Sequence, residues 1–173
     1  MTEFQPVLSS ITDFASTFIA QASQMNLQLN WNWFLAFFGM GMLGLGLSGS
    51  AIGLAIAGSA VAGVREEKRA SALIVSVLPG TQGIYSFTVG IILMGKFKGS
   101  FAAIPPETFL KAFAVATVTG IACLVSGWWQ GVVCASGIKA INQDKMGVGN
   151  ALLLAVLPEF YAILAFTTAF IWM

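Results

Sequence analysis

Glu159 stands in the middle of an apolar run from Gly149 to Met173, in the stretch Ala155-Val-Leu-Pro-Glu-Phe-Tyr-Ala-Ile-Leu164, and no other acid falls inside a long hydrophobic segment of the chain. An ionisable side chain at bilayer depth costs about 2.5–3.5 kcal/mol even on the insertion scale, which marks it as a functional group. Oxygen and amide side chains accompany it at matching depth: Thr81, Gln82 and Tyr85 in one apolar run and Gln130 in another. Thr81, Gln82 and Tyr85 lie within four residues of each other and so share one side of a helix. A hydroxyl, two carboxamides and one carboxylate are hard oxygen ligands, suited to a cation rather than to a soft metal. One carboxylate neutralises one positive charge, and a divalent ion would keep an uncompensated unit in a low-dielectric setting. The site chemistry is therefore that of a monovalent cation.

Other chemistries lack their residues. The chain has no histidine and two cysteines, so zinc sites and nucleophile–histidine triads have no candidates. Cys123 and Cys134 stand in one predicted helix, about 16 Å apart along its axis, too far to pair, and are expected to be small packing residues. No phosphate-cradling GxxxxGK[ST] loop occurs, so the chain itself has no means of hydrolysing a nucleotide. The net charge of +1 contains no basic block, which excludes a nucleic-acid partner.

The elements that position these residues are membrane spans. Of the 173 residues, 57% are hydrophobic and 9% charged, against about 25% charged in ordinary soluble domains, and the mean hydropathy is +0.85. Four apolar runs predict four transmembrane helices: Trp33 to Gly63, about Ser71 to Phe97, about Thr108 to Ile141, and Gly149 to Met173. Trp31 and Trp33 mark a membrane interface. The first span carries Gly39, Gly46, Gly53 and Ala60 every seven residues, with Gly41, Gly44, Gly49 and Gly58 around them, and the third carries Ala116, Gly120, Gly127, Gly131 and Ala135. Glycine costs about 1 kcal/mol relative to alanine in a helix, so this density predicts close backbone packing.

Residues 1–30 differ in kind. Val7, Leu8, Ile11, Phe14, Ala15, Phe18, Ile19 and Ala22 recur at helical spacing between polar residues, which predicts an amphipathic helix at the membrane surface. The lack of a basic residue before that apolar stripe argues against a cleaved signal peptide. Three segments result: the 1–30 extension, a first hairpin over 31–100, and a second over 101–173 that carries the carboxylate. Arg65, Lys68 and Arg69 in turn 64–70, with Lys139 and Lys145 around turn 142–146, outnumber Lys96, Lys98 and Lys111 at the other end. The positive-inside rule then places both turns in the cytoplasm and both termini outside.

The two hairpins are copies. Ala72-Leu-Ile-Val-Ser-Val-Leu-Pro-Gly-Thr-Gln-Gly-Ile-Tyr-Ser-Phe-Thr88 aligns without gaps on Ala151-Leu-Leu-Leu-Ala-Val-Leu-Pro-Glu-Phe-Tyr-Ala-Ile-Leu-Ala-Phe-Thr167, and Ser48-Gly-Ser-Ala-Ile-Gly53 aligns on Ser126-Gly-Trp-Trp-Gln-Gly131. Gly80 occupies the place of Glu159, and Ile52 that of Gln130. Pro79 and Pro158 match, and each removes a helix hydrogen bond, so both are expected to loosen the backbone, as a kink or by baring a carbonyl oxygen.

Leu78-Pro-Gly-Thr-Gln-Gly-Ile-Tyr85, Gln130-Gly131 and Glu159 followed by Phe-Tyr-Ala-Ile-Leu resemble the corresponding motifs of the four-helix proteolipid rotor subunits of V-type rotary ATPases, and most closely the bacterial sodium-pumping form, subunit K. The resemblance runs from about Trp33 to the C-terminus. It implies an all-α membrane protein that assembles with identical copies into a ring in the cell membrane. It implies Na+ as the transported ion, with H+ the alternative, at a site where Glu159 neutralises the ion, Thr81, Gln82 and Gln130 are side-chain ligands, Leu78 offers its carbonyl, and Tyr85 locks the carboxylate. The implied partners are lipid, a membrane stator subunit and a central-stalk subunit at the cytoplasmic turns, with ATP hydrolysis in other subunits. A small secondary transporter or channel using Glu159 as a relay is the other reading of same-direction repeats. The N-terminal extension, Pro158 beside the carboxylate, and Trp128 and Trp129 depart from the family's pattern.

Overall fold

The computed structural model describes Asp13, Ser16 and residues 31–98 and 104–173. Helix α1 runs Trp31–Val61, α2 Glu66–Ser76, α3 Thr81–Lys96, α4 Pro106–Asn142 and α5 Val148–Trp172. Helices α2 and α3, with the turn between them, make one span, so that among the described residues four segments are long and apolar enough to cross a membrane. The amphipathic helix expected over 1–30 lies outside the described residues, apart from Asp13 and Ser16, which are both helical.

The helix ends follow their local chemistry. Helix α4 starts two residues before the sequence expectation, because Pro106 takes the first helical position, where its missing N–H costs nothing, and Glu107 follows in the positive first turn. Helix α2 starts at Glu66, five residues early, for a related reason: Glu66 and Glu67 sit in its first turn.

The matched prolines differ, which corrects the expectation that both loosen the backbone alike. Pro79 with Gly80 breaks the second span: Leu78–Gly80 is a single 3-10 turn, the Gly80 N–H donates to the Val77 carbonyl at 3.2 Å, and the Thr81 N–H donates to that of Leu78. Pro158 stays inside an unbroken α5. A glycine after the first proline removes a helix-forming residue just where the hydrogen bond is lost, whereas Glu159 and Phe160 continue the helix after the second.

Helices α1 and α4 lie against each other through their glycines. A Cβ on Gly39 would lie 2.7 Å from the Phe113 Cα, one on Gly49 2.5 Å from the Leu124 Cα, and one on Gly127 2.8 Å from the Gly49 carbonyl carbon. Gly41, Gly44 and Gly58 do not join this face, since a Cβ there would meet nothing within 4 Å. The sequence grouped them with the others because glycine in a helix signals close packing without saying on which side.

At the turn end, the Arg65 N–H donates to Asn142 Oδ1 at 3.0 Å, its guanidinium donates to the Asn142 carbonyl at 2.7 Å and to Asp144, and Lys68 Nζ lies 2.7 Å from Asp144 Oδ1. Asp144 holds a positive φ of 56° to make this clasp. The hydrogen bond from Lys68 and then that from Arg65 hold the Asp144 carboxyl below its usual 3.8, and Asp144 pushes Arg65 above its usual range. A carboxyl with a lowered folded value adds stability above its unfolded value and loses it as the pH falls through the folded one. The clasp is therefore closed at neutral pH and opens only as the pH falls below the ordinary carboxyl range. Asp144→Asn is expected to open it at neutral pH, read as faster tryptic cleavage at Arg65, Lys68 and Arg69 in reconstituted vesicles; an unchanged cleavage rate would show that the turns are held without it.

Candidate functional site

Helices α3, α4 and α5 bring the polar residues of three spans to one place. Glu159, on α5, is only 8% exposed. The Tyr85 hydroxyl on α3 donates to Glu159 Oε1 at 2.8 Å, and Gln130 Nε2 on α4 donates to Oε2 at 3.1 Å. Both carboxylate oxygens thus have a donor, as a buried acid requires. Gln130 Nε2 also donates to the Ala155 carbonyl at 2.9 Å, one turn earlier on α5. Gln82 Nε2 donates in turn to Gln130 Oε1 and, at 3.1 Å, to Ser126 Oγ.

The far end of the network is rich in oxygen. Thr81 Oγ1 donates to the Leu78 carbonyl at 3.2 Å and lies 3.4 Å from Gln82 Oε1. The break at Pro79 is what turns the Leu78 carbonyl and the first residues of α3 toward one another. Of the six residues singled out in the sequence, Glu159, Gln130, Gln82 and Tyr85 form one hydrogen-bonded chain, and Thr81 and Leu78 attach to it through Gln82. Glu159 has no direct hydrogen bond to Thr81 or Gln82 among the described residues.

Two residues escaped the sequence reading. Ser126 is buried, accepts from Gln82 and donates to the Pro158 carbonyl at 2.8 Å, tying α3 to α5. Its position four residues before Gln130, hence on the same helix face, was the available signal. Ser50 of α1 accepts from the Gly83 N–H at 2.7 Å, steadying the start of α3 from behind. Ser126→Ala would leave a buried amide hydrogen and a buried carbonyl short of a partner, at about 1–3 kcal/mol. The variant is expected to melt several degrees below the wild type in detergent. An unchanged melting temperature would show that Ser126 does not hold the network.

No group of three or more His, Cys, Asp or Glu residues is placed to hold a metal among the described residues, and both cysteines are free and buried. Gly80, the counterpart of Glu159, faces α1, where a Cβ would lie 3.7 Å from a Leu54 methyl. Trp128 and Trp129 are 50% and 60% exposed, and Trp129 lines a cleft of about 640 Å³ with Leu157, Pro158 and Tyr161 beside the site.

The family model for the ATP synthase C subunit matches residues 113–172, the part of the chain that holds Gln130 and Glu159. Among curated proteins, the V-type sodium ATPase subunit K of Enterococcus hirae is 33% identical over 126 residues, 71% of this chain and 79% of that protein. The chain belongs to the proteolipid family of the ATP synthase C subunit and the V-type ATPase subunit K. A second proteolipid, the A-type ATP synthase subunit K of Methanocaldococcus jannaschii, is 39% identical over 147 residues. That match covers 83% of this chain and 63% of the archaeal protein, so the chain spans less than two thirds of this relative's length.

Proposed function

We propose that the chain is one protomer of the membrane rotor ring of a V-type ATPase in the cell membrane, and that each protomer carries one sodium ion at Glu159 as the ring turns. The observation that carries the reading is the position of Glu159, a nearly buried carboxylate at mid-span held by Tyr85 and Gln130, at one end of a network whose other end is the oxygens of Leu78, Thr81 and Gln82. A sodium ion would be coordinated by a Glu159 oxygen, the carbonyl oxygens of Gln82 and Gln130, the Thr81 hydroxyl and the Leu78 carbonyl. Its single charge cancels that of the carboxylate. The relative in Enterococcus hirae is named for sodium, which favours that ion over a proton.

Charge at Glu159 is costly against hydrocarbon, so only the occupied site leaves a stator subunit to rotate through lipid, and rotation and transport are coupled. Each ion moves against about 2.3 kcal/mol per 100 mV. Hydrolysis occurs in other subunits, and a central stalk meets the turns 64–70 and 142–146 on the cytoplasmic side. The test is carbodiimide labelling of Glu159 across sodium concentrations at fixed pH. Sodium is expected to protect. Protection that follows pH alone assigns the site to protons, and a monomer that transports alone in liposomes overturns the rotor.

A further inference from the structure

The packing inside one copy of the chain sets the register of its two halves. On α1, a Cβ on Gly53 would lie 2.6 Å from the Pro79 Cβ, and Leu54 lies beside Gly80. On α4, Trp129 lines a cleft with Pro158, and Gln130 donates to Glu159. Ser50 and Ser126 face α3 alike, Ser50 accepting from the Gly83 N–H and Ser126 from Gln82 Nε2. Ser50 thus answers to Ser126, Gly53 to Trp129 and Leu54 to Gln130, in one constant register. The letter-by-letter repeat pairs Gln130 with Ile52 instead, because a short match in a glycine-rich helix does not resolve a shift of two residues.

That register also relates the sides of α1 and α4 that nothing in the copy covers. Inside one copy Gly53 packs on Gly127 and Gly131, and Gly49 on Leu124. The counterparts of Gly53 and Gly49 on α4 are Trp129 and Val125, which are 60% and 50% exposed. The counterparts of Gly127, Gly131 and Leu124 on α1 are Ala51, Ala55 and Ser48, and these too are exposed. Two residues along a helix is about 200° around it, so both sets face away from the α1–α4 contact. A bulky seam on α4 and a small-residue seam on α1, on opposite sides of one helix pair, form a heterologous pair of surfaces. Repeated by rotation, such a contact closes a ring.

We propose that the contact between neighbouring copies repeats the contact inside one copy, with Trp129 as its wedge: Trp129 of one copy lies between Ala51 and Ala55 of the next, and Val125 lies against Ser48 of the next. The proposal rests on the rotor-ring reading and adds to it which helices meet and through which side chains. A tryptophan in the place of Gly53 holds neighbouring copies further apart than α1 and α4 stand within a copy. The next copy also covers the cleft of about 640 Å³ that Trp129 lines with Leu157, Pro158 and Tyr161, so the helix of Glu159 is braced on that side only in the assembly. An acyl chain is the rival occupant of the cleft, but it leaves the small-residue seam of α1 without a partner.

The test is cross-linking of the assembled protein in membranes by a short bismaleimide, through Ser48→Cys combined with Val125→Cys. Within one copy these positions face opposite ways, so every link joins two copies, and a ladder of multimers is expected. Either single variant should give no ladder, which also controls for the buried Cys123 and Cys134. Val125→Cys with Phe87→Cys, on the exposed side of α3, should give none either. A size swap supplies a second readout. Ala55→Leu leaves the wedge no room and is expected to lower the yield of assembled ring at least roughly tenfold. Adding Trp129→Ala should restore it to within about twofold, and because the two residues face apart inside one copy, such a rescue arises only between copies. An intact assembly that gives no ladder, or an Ala55→Leu defect that Trp129→Ala does not relieve, overturns the proposed contact and leaves the ring reading standing; the first is what an acyl chain in the cleft would produce. Wild-type protein found only as monomers by native mass spectrometry overturns the ring reading itself. Should Trp129→Ala prevent folding, the Ser48–Val125 ladder alone decides.

Discussion

Glu159→Gln is expected to abolish ATP-driven sodium uptake into proteoliposomes holding the whole complex, while the protomer still folds. The carboxamide keeps the size of the side chain and can still accept from the Tyr85 hydroxyl, now at 2.8 Å from Oε1. What it removes is the negative charge that, in the proposed function, would neutralise the ion. The cost of an uncompensated unit charge at mid-bilayer, about 2.5–3.5 kcal/mol, converts to a roughly 60- to 300-fold loss of sodium affinity. The true loss is steeper on the far side of the cycle, because a cation bound to a neutral site carries its charge into lipid. Glu159→Asp keeps the charge but withdraws it by one methylene from Tyr85 and Gln130, so it should bind sodium more weakly and still transport. Uptake by Glu159→Gln within about twofold of the wild type would remove Glu159 from the transport path.

The candidate site was legible in the sequence to the extent that its residues were out of place. A carboxylate and two glutamines in apolar helices are conspicuous, because each needs a partner that lipid does not supply. Ser126 was not conspicuous, because a serine in a membrane helix ordinarily satisfies itself on its own backbone, as Ser48 does on the Gly44 carbonyl and Ser136 on that of Val132. Only the approach of α5 offers Ser126 the Pro158 carbonyl in place of its own turn. The prolines show the same limit. Pro79 and Pro158 stand at matching places in the repeat, yet one ends a helix and the other does not, since the residue after each proline decides whether the helix resumes. Four spans and their order were readable from hydropathy alone, whereas the clasp between Arg65, Lys68 and Asp144 depends on two turns, far apart in the chain, meeting at one end of the bundle.

The largest effect on folding is expected at the α1–α4 contact, where glycines on one helix carry different weights. Gly53 and Gly127 meet directly: a Cβ on Gly53 would strike the Gly127 carbonyl oxygen and lie 2.6 Å from the Pro79 Cβ, and one on Gly127 would lie 2.8 Å from the carbonyl carbon of Gly49. These obstacles are backbone and a proline ring, which cannot rotate aside as a flexible side chain would. Overpacking a core costs about 1–3 kcal/mol when side chains can shift, and Gly127→Val should exceed that range because the helices themselves must part. Parting them also moves the turn at Pro79, which packs on Gly53, and with it Thr81 and Gln82 of the candidate site. Gly58→Ala supplies the control on α1, since a Cβ there meets nothing within 4 Å and alanine gains up to about 1 kcal/mol of helix propensity. In detergent, Gly127→Val is therefore expected to fail to accumulate as a folded protomer, while Gly58→Ala melts at or above the wild-type temperature. Were the two variants equally stable, the glycines of the two helices would be interchangeable and the packing of α1 on α4 could not be what sets the height and angle of the carboxylate's partners.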